Sequence, residues 1–188
     1  MAKKITTYSL PIIAKSELKA QLNMDADFTA VDDFLDQLIA AAGRQIELST
    51  NRGLMGAVVE DYYDYFPRNI ILSVSPLQTL TTIEIRATEG ASYTTWSHAS
   101  NVIVDTATMP PRIHVNDSVS LPDVDGQANC VKVTYVAGAT TKTDVDVMLK
   151  QAVLYLAADM YQNRENPIKR FPSAVDKIVN LMRVTEFV

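Results

Sequence analysis

The stretch TDVDVMLKQAVLYLAADMYQNR, residues 143–164, decides the fold because its apolar residues follow helical spacing on two sides. A helix that is apolar on two sides has to pack against neighbours on both of them. We therefore expect a helix over residues 144–164 at the centre of a small bundle, with Thr143 and Asp146 forming a capping box at its start. Its first stripe contains Val145, Met148, Leu149, Ala152, Leu156 and Met160, and its second contains Val147, Leu154, Ala158 and Tyr161.

Three further helices are predicted around this one, over residues 16–24, 30–52 and 173–183. The helix over 30–52 has the clearest pattern, because its apolar residues recur every three or four positions from Val31 to Ile46. Helices start preferentially after capping side chains and often stop at glycine. The predicted start signals are Ser16, the box Thr29 to Asp32 and the box Ser173 to Asp176, and the predicted stop of the second helix is Gly53.

The pattern changes between residues 58 and 136, where β-branched and aromatic residues form short runs separated by Pro, Gly, Asn and Asp. This region is predicted as a β insertion between the second and third helices. The expected fold class is α+β: a bundle of about four helices carrying that insertion, in a single domain over 1–188 with a C-terminal tail at 184–188. The predicted strands are 58–66, 70–74, 81–87, 102–105, 112–115 and 130–136.

Composition and charge exclude several classes of protein. Cys130 is the only cysteine, which excludes an intramolecular disulfide and any CxxC motif and suits a reducing cytoplasm. No apolar run approaches the ~18 residues of a membrane span, and the N-terminal residues do not have the pattern of a signal peptide. A net charge of −5 disfavours wrapping of nucleic acid, which requires clustered Lys and Arg.

Motifs for cofactors and metals are missing from the sequence, and we expect neither group. None of the six glycines forms a GxGxxG or P-loop pattern. His98 and His114 have no second metal ligand at a helical or hairpin spacing, so both are interpreted as ordinary surface or strand residues. The run from Asp123 to Gly126 resembles the start of a calcium loop but lacks the bidentate glutamate, which favours a hairpin turn.

The acidic run VVEDYYDYF, residues 58–66, leaves two interpretations open. Glu60 and Asp64 share one face of a strand while Asp61 points to the other, so a pair of catalytic carboxylates is geometrically conceivable. The alternative is a strand with a wet acidic face, with Glu60, Asp61 and Asp64 facing solvent or a channel. The second interpretation is preferred.

The end of the third predicted helix is polar, and two interpretations are weighed equally. Arg164 in the last turn favours the negative end of the helix, whereas Glu165 opposes it. Either the residues cap the helix locally or they contact another subunit, where Arg and Tyr are enriched. The tail, including Phe187 and Val188, carries apolar residues that suggest a partner.

The order of these features resembles the head-tail connector, or adaptor, family of long-tailed double-stranded DNA bacteriophages. Four stretches, spanning most of residues 12 to 165, carry the resemblance. They are SELKAQL (16–22) leading into IAAA (39–42), SPLQTL (75–80), VTYVAG (133–138), and QAVLYL (151–156) ending in YQNRE (161–165).

The resemblance implies a non-enzymatic virion protein at the head-tail junction, assembled in the host cytoplasm. It implies a dodecameric ring beneath the portal protein that extends the DNA channel, passes viral DNA without binding it specifically, and joins a downstream neck or tail-completion protein. The interface is expected to include Tyr161, Arg164 and Glu165, and the segment 173–188, with Phe187 and Val188, is expected to dock on the portal. The segment 86–100, which contains Trp96, departs from the family as a longer β loop that would face the tail.

Two other functions remain open at this point. A tail-completion or tail-terminator protein would cap the tail tube from below, but such proteins give little of their sequence to long central helices. A carboxylate-dependent hydrolase would use Glu60, Asp61 or Asp64.

Overall fold

The computed structural model describes residues 12–88, 90–124, 128–164 and 171–185, together with the backbone of 2–7. The chain divides into two compact units. The helical unit lies within residues 9–55 and 139–184, and the sheet unit lies within residues 1–8, 56–138 and 185–188. The single connector domain expected over 1–188 stays a prediction.

The helical unit contains four helices among the described residues, α1 (Lys15–Gln21), α2 (Asp32–Thr50), α3 (Val147–Gln162) and α4 (Ser173–Met182). Helix α3 packs against the other three, as its two apolar sides predicted. Each stripe is wrong at one residue near the start of the helix, because Met148 of the first stripe is 41% exposed and Val147 of the second is 75% exposed. The core includes Leu18, Leu35, Ile39, Ala42, Ile46, Leu149, Ala152, Val153, Leu156, Val175 and Val179.

The predicted start signals of the helices are wrong in detail. Helix α1 begins after Ala14 rather than Ser16, and the Glu17 side chain accepts the Ala14 N–H. The box at Thr143 fails because Asp146, immediately before α3, has its own carboxylate positioned to accept the Met148 N–H at 2.7 Å. The boxes at 29–32 and 173–176 form no cap, and α2 and α4 follow Val31 and Pro172 instead.

Helix α2 ends at a left-handed residue that is not the predicted Gly53. Asn51 adopts φ 54°, a conformation that Asn tolerates better than most residues. The Asn51 side-chain amide and the Arg52 Nε then donate to the carbonyls of Val184 and Met182 at 3.1 and 2.7 Å. The C-terminal end of α4 is fastened to the end of α2 in this way.

The sheet unit contains two antiparallel sheets. Its strands are β1 (Ala2–Thr7), β2 (Ala57–Tyr63), β3 (Asn69–Ile71), β4 (Leu77–Ile85), β5 (Thr94–Trp96), β6 (Val102–Asp105), β7 (Arg112–Val115) and β8 (Val131–Ala137). The order in one sheet is β1-β2-β8-β4-β5, and in the other it is β3-β7-β6. The α+β class and the β insertion between α2 and α3 are confirmed, while β1 and β5 were not predicted.

Strict alternation in β2 and β8 builds the core of the sheet unit. Every second residue of both strands is buried, beginning with the first. These side chains form one cluster with residues of the smaller sheet. The cluster includes Val59, Ile70, Leu72, Ile83, Ile113, Val115, Val131, Val133 and Tyr135. Trp96 joins its margin and packs edge-on against Phe66, with ring centroids 5.0 Å apart, so part of the 86–100 segment is structured.

Candidate interaction surfaces

The alternation of β2 places Asp61 on the buried face of the strand, in line with Val59 and Tyr63. Asp61 has no exposed surface. Its Oδ2 accepts the Ser73 N–H and the Tyr135 O–H, each at 2.8 Å, and its Oδ1 accepts the Ser73 hydroxyl at 2.6 Å. The expectation that Asp61 faces solvent or a channel is therefore wrong. Side chains alternate between the two faces of a strand, so Glu60 lies on the partly exposed face and Asp61 lies in the core.

Tyr135 on β8 completes a buried polar network with Asp61. Its hydroxyl oxygen accepts the Val74 N–H at 3.1 Å while its proton is donated to Asp61. Burial, and then the neighbouring Asp61 carboxylate, raise the pKa of Tyr135. The network fastens the connection between β3 and β4, at residues 73 and 74, to strands β2 and β8.

The other two carboxylates of the acidic run have separate local partners. Glu60 accepts the Tyr62 O–H at 2.8 Å, and burial followed by this hydrogen bond raises the pKa of Tyr62 to about 12. Asp64 follows the strand and accepts the Asn129 N–H at 2.7 Å. A pair of catalytic carboxylates has to be accessible to a substrate, whereas Asp61 is buried and Glu60 and Asp64 accept hydrogen bonds from different residues.

The polar end of α3 is occupied by contacts within the helical unit. The Arg164 guanidinium lies 4.0 Å from the ring centroid of Tyr161 and 5.0 Å from that of Phe34 on α2, and its Nε donates to the Tyr161 carbonyl at 3.0 Å. The rings of Phe34 and Tyr161 are 6.2 Å apart. These contacts hold Arg164 in place at the end of α3, whereas Glu165, Phe187 and Val188 lie outside the described residues.

An ion-pair cluster between α1 and α2 was missed by the sequence analysis. Lys19 is 5% exposed, and its Nζ lies 2.8 Å from Asp32 Oδ1 and donates to the Ala26 carbonyl at 3.0 Å. Lys15 pairs with Asp36 at 2.9 Å and with Asp32 at 3.5 Å. The signal was available: lysines four residues apart on one short helix, followed by an acidic run that opens the next helix.

These ion pairs shift two acid-base equilibria. Lys19 and then Lys15 lower the pKa of Asp32, against the opposing effect of burial. The hydrogen bond to Asp36 is the largest of the effects that raise the pKa of Lys15. Both charged forms are therefore favoured in the folded chain.

The described part of the chain holds no group of three or more His, Cys, Asp and Glu side chains arranged to bind a metal ion. His114 on β7 hydrogen-bonds Asn69 through Nδ1 at 2.6 Å. Asp125 and Gly126 of the predicted turn lie outside the described residues. None of the described helices combines the length and apolar character needed to cross a membrane.

Several large apolar side chains are exposed and are candidates for contacts with other chains. In the helical unit they are Phe28, Leu48, Val147, Met148, Tyr155 and Leu181, and in the sheet unit they are Tyr65, Ile103, Val104 and Met109. Single exposed apolar residues are normal on proteins. An exposed apolar side chain is a stronger candidate for such a contact where it lies on an ordered loop or in a strongly charged region.

Comparison with known proteins gives a fold match along the whole chain. No family model and no curated protein matches it. A chain in the neck of an empty gene transfer agent (GTA) particle, determined with C6 symmetry, superposes with a TM-score of 0.78 at 22% identity, covering 100% of this chain and 98% of that one. A chain in the neck of the native GTA particle, determined with C12 symmetry, gives 0.74 at 20% identity with the same coverage. A chain of the native GTA virion gives 0.77 at 21% identity. At these identities the likeness establishes the fold.

Proposed function

We propose that this chain is a structural, non-enzymatic subunit of the neck of a phage-like particle. In that role it forms a ring beneath the portal, extends the DNA channel and joins the head to the tail or the next neck component. The observation that carries the proposal is the fold match over 100% of this chain and 98% of a neck chain. Residues of both units are included in that match.

A ring requires that one face of a subunit contacts a different face of its neighbour. The matched chains belong to necks determined with C6 and C12 symmetry, which supports a cyclic arrangement for this chain. The proposed interface includes the end of α3 with Tyr161, Arg164 and Glu165. Since Arg164 already stacks on Tyr161 and Phe34, it would present a preformed surface to the neighbour.

The remaining partners follow from the same proposal. The segment 173–188, ending in Phe187 and Val188, would dock on the portal, and a downstream neck or tail-completion protein would bind the opposite side. The net charge of −5 would let viral DNA slide through the channel without specific binding. The location would be the head-tail junction of the virion, after assembly in the host cytoplasm.

The geometry of the acidic strand argues against the hydrolase alternative. A catalytic carboxylate has to reach its substrate, whereas Asp61 is fully buried and accepts three hydrogen bonds from the protein. Glu60 and Asp64 each have a separate local partner.

Electron microscopy of lysates from particles lacking this gene tests the proposal. We expect DNA-filled or leaking heads beside free, completed tails, and restoration of joined particles when the gene is supplied on a plasmid. Normal tailed particles would refute the neck assignment. Heads without completed tails would favour the tail-completion alternative.

A further inference from the structure

The acidic segment of the helical unit, residues 15–36, carries most of the net negative charge of the chain. It contains six carboxylates and two lysines, a net charge of −4, out of −5 for the whole chain. Both lysines pair with carboxylates of the same segment. Asp25, Asp27 and Asp33 are exposed, and no ion pair within the described part of the chain engages them. This surface therefore favours a cationic partner.

An exposed aromatic ring lies on the loop within this segment. Phe28, on the loop over residues 22–31 between α1 and α2, is 47% exposed. The loop is nevertheless ordered, because the Phe28 N–H donates to the Asp25 carbonyl at 3.2 Å and the buried Lys19 ammonium donates to the Ala26 carbonyl at 3.0 Å. A ring on such a loop loses little freedom when a partner binds, which reduces the cost of association.

Helix α4 lies in a stretch of the opposite charge. Residues 169–183 contain four basic residues and one acidic residue, a net charge of +3. Of the basic residues, Lys177 and Arg183 are described and exposed, and neither forms an ion pair with another described residue. The single carboxylate, Asp176, accepts a hydrogen bond from the Asn180 side-chain amide at 3.2 Å.

An exposed apolar side chain accompanies these two cations. Leu181 is 74% exposed and lies one helical turn after Lys177, on the same face of α4. The helix buries Val175 and Val179 on its other side. Both surfaces therefore combine one large apolar side chain with charged neighbours, and the charges are opposite in sign.

The two surfaces are too far apart to meet within one chain. Helix α2 has 19 residues, which corresponds to a length of about 28 Å. The 22–31 loop directly precedes this helix, whereas Arg52, just after it, donates to the Met182 carbonyl of α4 at 2.7 Å. Phe28 and Leu181 thus belong to opposite ends of α2, and each is open to another molecule.

We propose that the 22–31 loop of one subunit docks on the exposed face of α4 in the next copy of the chain. Phe28 packs against Leu181, and the carboxylates around the ring face Lys177 and Arg183. An apolar centre with a charged rim is the usual anatomy of a protein interface. DNA fits this face of α4 less well, because a phosphate backbone requires clustered cations and gains nothing from an exposed leucine.

This inference rests on the proposed neck function and names two faces for the ring. A ring contact joins one face of a subunit to a different face of its neighbour. The loop adjoins the end of α3 proposed above, because Arg164 lies over the ring of Phe34 in the first turn of α2. The other face is α4, which leaves residues 185–188 for the portal.

Cysteine crosslinking in assembled particles tests the contact. Phe28→Cys and Leu181→Cys are introduced together, and purified particles are treated with a short bis-maleimide; the native Cys130 is buried. Because a head-to-tail contact joins each subunit to the next, we expect a ladder of dimers, trimers and larger oligomers on denaturing gels. Neither single variant should form a ladder. The matched control, Phe28→Cys with Ile103→Cys at a position that is 60% exposed, should stay monomeric.

A charge exchange tests the electrostatic part. Asp27→Lys with Asp33→Lys, and separately Lys177→Glu with Arg183→Glu, should each lower the number of joined particles at least about tenfold, counted by electron microscopy. All four substitutions together restore opposite charges and should bring the number back to within about threefold of the unmodified chain. Circular dichroism verifies that each variant is folded. Folded variants without an effect, or a combination without recovery, overturn the charge pairing.

Failure of the two proposals can be distinguished. Absence of the unmodified chain from purified particles refutes the neck function. Presence of the chain in particles without a ladder, or with crosslinks only to DNA or to a different particle protein, overturns the contact between the loop and α4 while leaving the neck function in place.

Discussion

The chain contains two acidic stretches, residues 25–36 in the helical unit and 60–64 in the sheet unit, and they use their charge in opposite ways. In the first, Asp25, Asp27 and Asp33 are exposed, and the buried charged side chain that contacts the stretch is a base, Lys19 on α1. In the second, the buried side chain is an acid, Asp61. Clustering of carboxylates in a sequence therefore does not predict whether they are exposed to solvent. Their exposure depends on the secondary-structure element and on which of its faces each side chain occupies.

The physical difference lies in how each buried group is satisfied. A strand alternates its side chains between two faces, so Asp61 enters the core of the sheet unit and has to be matched there by hydroxyl and N–H donors. A loop followed by a helix leaves Asp25, Asp27 and Asp33 at the surface, and Lys19 turns inward to bind the partly buried Asp32 and the Ala26 carbonyl. Removing either buried group should be more costly than removing any exposed carboxylate.

Asp61→Ala is expected to produce the largest loss of stability. It leaves the Ser73 N–H, the Ser73 hydroxyl and the Tyr135 hydroxyl without their acceptor in the core. At about 1–3 kcal/mol for a buried group left unsatisfied, with partial relaxation, the free energy of unfolding should fall by about 2–5 kcal/mol. Urea unfolding followed by circular dichroism measures it.

The matched control for Asp61 is Glu60→Gln on the opposite face of the same strand. It should change the free energy of unfolding by no more than about 0.5 kcal/mol, the range of ordinary surface substitutions. Asp61→Asn, which keeps one acceptor oxygen, should fall between the two. Equal losses for Asp61→Ala and Glu60→Gln would contradict the distinction between the buried and the wet face.

Lys19→Met is expected to have a smaller effect, because the new side chain still fills apolar space and Asp32 keeps Lys15 as a partner. We expect a loss of about 1–3 kcal/mol in the free energy of unfolding, below the range for breaking a fully buried pair. Hydrogen exchange should also become faster at the amides of Met24 and Phe28, whose loop Lys19 holds. Lys15→Met, at a more exposed position, is the control and should leave those amides protected. Unchanged hydrogen exchange at Met24 and Phe28 in Lys19→Met would show that Lys19 does not order the loop.

The parts of the fold that were predictable depend on periodicity. The apolar stripes of α2 and α3 and the alternation of β2 and β8 are long enough to identify both the elements and their buried sides. The short β5 and the N-terminal β1 carry little periodic signal. Their place depends on pairing, of β5 with the preceding strand β4 and of β1 with the distant strand β2. The predicted caps failed for a different reason: α1, α2 and α4 follow Ala14, Val31 and Pro172, which have no capping side chain, so these starts depend on the backbone path and not on a capping signal.

The candidate surfaces were predictable to a smaller extent. The alternation that separated Asp61 from Glu60 was visible in the sequence, but the donors that make a buried Asp61 acceptable, Ser73 and Tyr135, are 12 and 74 residues away. Burial of Lys19 likewise depends on a loop conformation that spacing alone does not define. The contacts of Arg164 with Phe34 also join residues far apart in the chain.

The smallest expected effect concerns the response of the acidic segment to pH. The pKa of Asp32 is lowered by Lys19 and then Lys15, so the folded state favours its carboxylate. Its contribution to stability is fully present above the unfolded pKa of about 3.9 and is lost as the pH falls through the lower folded value. Asp32→Asn should therefore have a lower Tm than the unmodified chain at pH 7, and the difference should narrow as the pH falls below about 4. Asp33→Asn, at the exposed neighbouring position, is the control and should lower the Tm less at pH 7. If the Tm difference between Asp32→Asn and the unmodified chain widened in acid, the Asp32 carboxylate would not be the stabilising form.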